Sequence, residues 1–407
     1  MAGRPQRRGP GRPRDPLLTG PRTAVGVRAA GRMPATAGSS GGAAGGTAGP
    51  SGKSARPITA VALSPILSAR YRARDLERIR EAAPEARLVM VSHEGLADGP
   101  LDDVQALLRG WISADAFDRV LAKAPQLAWV HSASAGVENV LTPSSRERGL
   151  VITNARGVFS QPIAEYVLMM ILAISRRLPQ LLELQRERTW QPLEGVELRD
   201  VTIGIVGLGS IGGAVADLAG AFGCRVIATR RRAGDTAESG VGPRAAGGET
   251  ADEADRSGDE SGPTEANLGR VAGPEGLPRL LAESDFVVLA LPLTPDTESV
   301  INDEMLALVK PGAWLINVAR GRLVDERALV RALREGRIGG AVLDAFREEP
   351  LPSSSPLYEL PNVIVTPHTS WSSGRVLDRS IELFCDNLRR FARGEELLNV
   401  VDPAAGY

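Results

Sequence analysis

Residues 201–212 read VTIGIVGLGSIG, and this stretch decides the fold. A β-branched run, Val201–Val206, leads directly into three glycines spaced GxGxxG. A helical pattern over about 211–222 and a second strand pattern, Arg225–Thr229, follow. This strand–turn–helix–strand context is typical of a dinucleotide-binding fingerprint, whereas an isolated GxGxxG is weak evidence. The stretch therefore predicts a β-α-β unit that binds a dinucleotide; the alternative is a glycine-rich turn without a ligand.

Each glycine of the motif meets a different physical need. Gly207 permits a tight turn, Gly209 lets the backbone approach a pyrophosphate, and Gly212 allows close packing of helix and strand. Ser210 and Ile211 open the helix, whose first N–H groups and partial positive charge favour phosphate. We predict that these five residues bind the cofactor.

The residues that follow the second strand indicate which dinucleotide binds. NAD-binding units carry an acidic residue there for the ribose hydroxyls. Here Arg230 is followed by Arg231 and Arg232, and no carboxylate is nearby until Asp235. Because arginine pairs bidentately with phosphate, we predict that Arg230 and Arg231 bind the 2′-phosphate of NADP(H). NAD(H) is the second choice, and a solvated basic turn is the alternative reading.

Strand and helix patterns also alternate upstream of this unit. Such alternation predicts a parallel sheet with helices on both faces. A helix predicted over Gln161–Arg177 is apolar nearly all round, which indicates burial between domains. The upstream strand patterns are Ile58–Ala62, Arg87–Val91, Gln105–Leu108, Leu127–His131 and Val151–Thr153, and the helix patterns are Ala69–Ala82 and Ser113–Lys123.

Two segments lack the pattern of a folded chain. Residues 1–56 are rich in Gly, Ala, Pro and Arg, with ten basic residues against Asp15 alone. Residues 233–270 carry nine acidic residues against three arginines. Neither segment can bury enough apolar area to offset its ordering entropy, so we predict a disordered basic tail and a disordered acidic insertion. A contact of the tail with a DNA groove is the less favoured reading, and nucleic acid is not an expected partner.

Composition excludes several classes of protein. The 407 residues are 43% hydrophobic and 24% charged, which is ordinary globular usage and suggests two domains. Cys224 and Cys385 are the only cysteines, so a disulfide scaffold or a multi-cysteine metal site is excluded, and no metal is expected. The longest apolar run, Val167–Ile174, is too short to cross a bilayer. We expect a cytoplasmic protein without a membrane anchor.

Polar residues follow the remaining strand patterns, Phe286–Leu291, Ala313–Val318, Gly340–Leu343 and Val363–Val365. Ligands of parallel sheets bind outside the carboxyl ends of the strands. Pro292, Ala319, Arg320, Asp344, Glu349 and His368 stand at or just beyond those ends. We therefore expect them to converge on the edge where GxGxxG places the cofactor.

Each ionisable member of this set has a chemical role that it can fill. Arg320 is a fixed cation for a substrate carboxylate or for a carbonyl being reduced. His368 can protonate that carbonyl oxygen, and Glu349 can hold the imidazolium. Asp344 can accept a hydrogen bond from the nicotinamide carboxamide. The alternatives are a surface arginine, a loop histidine, a surface glutamate and a helix-capping aspartate.

Three stretches resemble the D-isomer-specific 2-hydroxyacid dehydrogenase family. They are LINVARGRLVDE at 315–326, AVLDAF at 341–346 with Glu349-Pro350, and NVIVTPH at 362–368. The resemblance implies a catalytic triad of Arg320, Glu349 and His368. It also implies a substrate loop at Ser134–Glu138, in which the backbone N–H groups of Ala135 and Gly136 reach the substrate carboxylate. Arg109, Trp111 and Trp371 are further candidates for the pocket lining.

The resemblance also implies an architecture and an activity. A Rossmann NAD(P)-binding domain, residues 158–369, is inserted into a flavodoxin-like substrate domain formed by 57–157 and 370–400, with a C-terminal helix near 372–393. The chain is expected to form a homodimer and to transfer a hydride between NAD(P)H and a small 2-keto or D-2-hydroxy acid, like the glyoxylate and hydroxypyruvate reductases. The alternative is a dinucleotide-sensing, corepressor-like regulator.

Overall fold

The computed structural model describes residues 58–66, 71–231, 268–404 and 406. The predicted basic tail and residues 233–267 of the predicted acidic insertion lie outside the described residues, as does the predicted helix start at Ala69. Among the described residues, no helix combines the length and the apolar character needed to span a bilayer.

The first sheet has five parallel strands. Its order, β2-β1-β3-β4-β5, is that of a flavodoxin-like sheet. The strands are β1 (Ala60–Leu63), β2 (Arg87–Met90), β3 (Ala106–Arg109), β4 (Trp129–Ser132) and β5 (Val151–Asn154), and helices α1 (Ala73–Ala82), α2 (Ala114–Lys123) and α3 (Pro143–Glu147) alternate with them.

The second sheet has seven strands in the order β12-β11-β10-β9-β6-β7-β8, all parallel. The chain runs outward from β6 in both directions, so the strand order reverses between β6 and β9 and opens a crevice there. The strands are β6 (Thr202–Val206), β7 (Arg225–Thr229), β8 (Leu268–Ala272), β9 (Phe286–Leu289), β10 (Trp314–Asn317), β11 (Gly340–Leu343) and β12 (Val363–Val365).

Helices connect these strands and join the two sheets. Those of the second sheet are α6 (Ser210–Ala221), α7 (Leu277–Glu283), α8 (Asp303–Leu308) and α9 (Glu326–Arg334). Along the chain, α4 (Ser160–Ser175) and α5 (Leu178–Arg186) come between the strands of the first sheet and those of the second. Helix α10 (Val376–Arg393) follows the last strand. The prediction of two parallel-sheet α/β domains with a Rossmann unit is confirmed.

The apolar helix α4 and the last helix α10 are held by different sheets. Nine of the sixteen residues of α4 are buried, and the helix packs against α6. In contrast, α10 returns to the first sheet, where it packs against α1 and Phe384 stacks on Trp129 with ring centroids 5.3 Å apart. It ends at Gly394, whose φ of 71° gives the left-handed turn that terminates many helices.

The predicted end of the acidic insertion is wrong. Residues 268–270, which were assigned to the acidic insertion, begin strand β8. This strand pairs with β7 through a register shift near Val226 and so satisfies the backbone groups on the outer edge of β7. Composition does not reveal the pairing, because β8 contains Gly269 and Arg270 and is only partly buried.

Candidate active site

The glycine-rich turn leaves an open cradle over the start of α6. Gly207 has a φ of +101°, and a Cβ there would lie 2.8 Å from the backbone of Ala290. A Cβ on Gly212 would lie 2.2 Å from the carbonyl oxygen of Gly207. At Gly209, the residue before α6, an added Cβ would meet no described atom within 4 Å. The backbone is therefore bare where a pyrophosphate must approach the first turn of the helix, at Ser210 and Ile211.

The end of β7 presents an arginine nitrogen without an acceptor. The backbone of Arg230 is fixed by a 2.9 Å hydrogen bond from its N–H to the carbonyl of Ala272. Its side-chain Nε is buried and has no hydrogen-bond partner among the described residues. A buried donor of this kind is costly until an acceptor reaches it. The exposed Arg231 follows directly, so the pair suits a phosphate at this end of the crevice.

His368 and Glu349, for which the sequence predicts an acid–base pair, lie in direct contact. Nδ1 of His368 lies 2.9 Å from Oε2 of Glu349, and both side chains are a little over one-third exposed. The other carboxylate oxygen, Oε1, accepts from the backbone N–H of Phe346 at 2.9 Å. Burial by itself raises the pKa of Glu349. Its hydrogen bonds to His368 and Phe346 and the charge of Arg320 lower the pKa by a larger amount, so the net shift is downward. Glu349 is therefore a carboxylate, and Nε2 of His368 is left for a substrate oxygen.

Arg320 and the loop after β4 meet at very close range. Nη1 of Arg320 donates to the carbonyl of Ala319 at 2.8 Å, and Nε donates to Oε1 of Glu138 at 3.1 Å. A Cβ on Gly136 would lie only 1.9 Å from Nη2 of Arg320. A larger residue at position 136 would require the guanidinium to shift, so Gly136 lets Arg320 lie beside the predicted substrate loop with Ala135.

Glu138 is a site residue to which the sequence assigned no role. Glu138 was included in the predicted substrate loop. The feature that could have indicated its role is a carboxylate two residues after Gly136. The carboxylate of Glu138 accepts from Nε of Arg320 and so orients the guanidinium, while Nη1 donates to the carbonyl of Ala319.

Asp344 lies directly after β11 and is completely buried. Its carboxylate accepts from Oγ1 of Thr366 at 2.6 Å and from the backbone N–H groups of Thr369 and Ser370, both at 2.9 Å. These bonds hold the loop that carries His368. The contact with a nicotinamide carboxamide stays a prediction, since in this structure the loop uses both oxygens.

The remaining candidates divide between the cleft and the core. Trp371 donates from Nε1 to the carbonyl of His368 at 2.7 Å, and the half-exposed Trp111 meets Trp371 edge-on at 5.8 Å. The prediction that Arg109 lines the pocket is wrong. It is 4% exposed, because its guanidinium turns inward to the carbonyl of Ile112 and the ring of Phe117.

Two other predicted positions, Ala319 and Pro292, and the two remaining histidines complete the description. Ala319 is buried, whereas Pro292 is exposed after β9, and its carbonyl accepts from Oγ1 of Thr297 at 2.8 Å. His131 is fully buried and bonds to Oγ1 of Thr153 at 2.8 Å, whereas the exposed His93 bonds to the carbonyl of Trp111 at 2.9 Å. His368 is thus the histidine that faces Glu349.

Comparisons with known proteins agree with this geometry. The family model "D-isomer specific 2-hydroxyacid dehydrogenase, NAD binding domain" matches residues 168–256 and 259–370. A glyoxylate reductase of Korarchaeum cryptofilum is 33% identical over 81% of this chain and 90% of its own length. A D-isomer specific 2-hydroxyacid dehydrogenase from Xanthobacter autotrophicus Py2, solved with NADPH and MES, has a TM-score of 0.70 and 31% identity, covering 86% of this chain and 100% of that one. The NADPH-dependent glyoxylate/hydroxypyruvate reductase of Sinorhizobium meliloti, solved with NADP and sulfate, has a TM-score of 0.67 and 27% identity over the same shares.

Proposed function

The chain belongs to the D-isomer-specific 2-hydroxyacid dehydrogenase family, whose members transfer hydride between NAD(P)H and 2-keto acids, and we propose that it reduces a small 2-keto acid such as glyoxylate or hydroxypyruvate with NADPH. The observation that carries the proposal is that Arg320 contacts the loop at Gly136 while its charge also acts on Glu349, the partner of His368. A guanidinium, an imidazole that can donate a proton and a set of backbone N–H groups suit a substrate that has a carboxylate next to a carbonyl.

In this proposal Arg320 and the loop after β4 bind the substrate carboxylate. Glu138 binds Nε of Arg320 and the carbonyl of Ala319 accepts one hydrogen bond from Nη1, so the substrate carboxylate would bind to the remaining N–H groups, those of Nη2 foremost. The N–H groups of Ala135 and Gly136 supply further donors. Both sets of donors are fixed before the substrate arrives, and such preorganisation lowers the cost of binding.

His368 supplies the proton for the carbonyl oxygen. A bound reduced nicotinamide supplies the hydride to the carbonyl carbon. Nε2 of the imidazolium gives its proton to the oxygen as that oxygen gains negative charge, so the product is an alcohol. Glu349 holds Nδ1 at 2.9 Å and stabilises the cation before the transfer. In the oxidative direction the neutral imidazole takes the proton back.

The proposed cofactor is NADP(H), with NAD(H) as the weaker substitute. The open backbone at Gly209 supports a bound pyrophosphate, and Nε of Arg230, which has no acceptor in the part of the chain that the structure describes, supports a 2′-phosphate beside it. Both solved relatives described above were solved with NADPH or NADP. Arg231 is exposed at the same place and adds positive charge.

We also propose a division into domains and a homodimer. Residues 57–157 and 370–400 would form the substrate domain, and 158–369 would bind the cofactor. None of the nine residues of α5, all of which the structure describes, is buried. Leu178, Leu181 and Leu182 are each exposed by 39% or more, and Trp190 is fully exposed. A second copy of the chain that covers this face would remove apolar surface from water.

The test is a matrix of substrates and cofactors. Glyoxylate, hydroxypyruvate and pyruvate are each assayed with NADPH and with NADH, and the oxidation of the cofactor is followed at 340 nm. We expect turnover with at least one acid and a higher kcat/KM with NADPH. The His368→Ala variant should lose turnover and still bind NADPH. Tight NADPH binding without turnover of any acid would instead favour the regulator.

A further inference from the structure

We propose that Tyr166 is a positioning residue for the catalytic imidazole, which it holds in place through Thr366 and Asp344. The inference rests on the proposed function for its kinetic part. It concerns a side chain on α4, outside the strand ends and loops that make up the site described above.

His368 needs support because its backbone is unusual. Its φ of 49° lies in the left-handed region, which costs a non-glycine residue conformational energy. Its carbonyl is held by Nε1 of Trp371, and the next two N–H groups along the chain end on the carboxylate of Asp344. The position of the imidazole therefore depends on where that carboxylate lies.

The carboxylate of Asp344 is connected to α4 by a chain of two short hydrogen bonds. Thr366 Oγ1 lies 2.6 Å from Asp344 Oδ1, and the Tyr166 hydroxyl lies 2.6 Å from Thr366 Oγ1. A carboxylate only accepts, so the threonine proton points to Asp344, and the tyrosine must donate to the threonine oxygen. The direction of the chain runs from Tyr166 through Thr366 to Asp344.

The starting point of this chain is rigid and keeps its proton. Tyr166 is 9% exposed, and its helix packs against α6, the helix that opens at the glycine-rich turn. Burial, with the negative charge of Asp344 adding to it, raises the pKa of Tyr166 to about 12. Tyr166 thus remains a donor at neutral pH, and one helix anchors both the cofactor cradle and the loop of His368.

The kinetic test removes the hydroxyl and keeps the ring. Tyr166→Phe should lower kcat by about three- to tenfold, the effect of losing one buried hydrogen bond, and leave the Kd of NADPH unchanged. Thr366→Val should do the same, and Thr366→Ser, which keeps the hydroxyl, should restore kcat. The matched control is Tyr71→Phe, which removes a hydroxyl that donates to the carbonyl of Ser64 at 2.7 Å, on the first sheet. Tyr71→Phe should leave kcat unchanged.

A double-mutant cycle separates positioning from general loosening. If Tyr166 acts only through the imidazole, Tyr166→Phe should not lower the residual turnover of a His368→Ala variant any further. An equal loss in both backgrounds would overturn the proposal, as would an unchanged kcat in Tyr166→Phe on the wild-type background.

A second measurement does not need turnover. The chain has three histidines, so ¹⁵N-histidine spectra are simple, and His368→Ala identifies the His368 signal. Tyr166→Phe should shift or broaden that signal and leave those of His93 and His131 in place. If the wild type reduces no 2-keto acid, the proposed function fails while the spectra still decide this point. A His368 signal that stays at its wild-type position would overturn the inference.

Discussion

At the scale of single residues, the tightest contact of the site is between Gly136 and Arg320. A Cβ on Gly136 would lie 1.9 Å from Nη2 of Arg320, so the two residues can lie this close because position 136 has no side chain. Gly136→Ala should push the guanidinium away and raise KM for the 2-keto acid by about tenfold or more, since a charge-assisted hydrogen bond contributes about 1.5–3 kcal/mol.

The measurement is the KM for glyoxylate or hydroxypyruvate together with the Kd of NADPH. The Kd should not change, because Gly136 lies on the substrate loop after β4. Gly374→Ala is the matched control, since a Cβ there meets no described atom within 4 Å. An unchanged KM in Gly136→Ala would mean that Arg320 does not bind the carboxylate from its present position.

A second prediction at this scale concerns the buried His131. Burial lowers its pKa from 6.5 to about 3, so the folded chain resists a proton that the unfolded chain accepts. The stability of the neutral form is complete above pH 6.5 and is lost as the pH falls from 6.5 towards 3. The cost at pH 4.5 is about 3 kcal/mol, at about 1.4 kcal/mol for each pH unit.

Urea unfolding between pH 7.5 and pH 4.5 measures this cost. The non-titrating variant His131→Gln should lose less stability over that range than the wild type. The exposed His93→Gln provides the control and should follow the wild type. Equal slopes for wild type and His131→Gln would show that His131 takes up its proton in the folded chain.

The sequence predicts the site residues that follow the ends of strands, and it does not predict those placed by packing. Arg320, Glu349 and His368 follow β10, β11 and β12, and parallel strands bring their carboxyl ends together. The sequence did not predict roles for Glu138 and Tyr166, because those roles depend on packing between distant segments. Glu138 is 182 residues from Arg320, and Tyr166 is 200 residues from Thr366. Arg109 was misjudged for a different reason, because its guanidinium turns inward to the nearby carbonyl of Ile112 and ring of Phe117, which its position at a strand end does not reveal.

At the scale of elements, α5 is a helix with no buried residue in the described chain, and three of its leucines are 39–45% exposed. Helix periodicity predicts α4 and α6 well because their apolar faces are continuous and buried. The sequence did not predict strand β8, because pairing with β7, rather than its own composition, stabilises it. The C-terminal helix begins at Val376 instead of near 372 because residues 366–371 are bound to Asp344 and to His368.

The exposed face of α5 leads to a prediction about assembly. If a second copy covers Leu178, Leu181 and Leu182, a charge at Leu182 must be buried without a partner. Leu182→Glu should therefore shift the protein from dimer to monomer in light scattering coupled to size exclusion. Leu308→Glu is a control at a leucine of equal exposure on α8. A Leu182→Glu protein that stays dimeric would place the interface elsewhere.

At the scale of the whole molecule, the crevice at the β6–β9 switch follows from strand order, and the sequence predicts it through GxGxxG. The proposed preference for NADP(H) over NAD(H) rests on one end of that crevice. There, Nε of Arg230 has no acceptor among the described residues. A ligand that binds only the folded chain raises its stability by RT ln(1 + [L]/Kd), which is about 2.7 kcal/mol at a hundredfold excess over Kd. Melting temperature therefore reports cofactor preference without turnover.

The last prediction applies this linkage to the 2′-phosphate. At equal concentration, NADPH should raise Tm of the wild type more than NADH does, because Arg230 supplies a bidentate donor to the phosphate. Arg230→Asp should reverse the order, since a carboxylate repels the phosphate and accepts from ribose hydroxyls. Arg225→Asp, at the other end of β7 and facing Glu283 at 3.1 Å, is the control and should keep the wild-type order. If Arg230→Asp leaves the order unchanged, Arg230 does not select the cofactor.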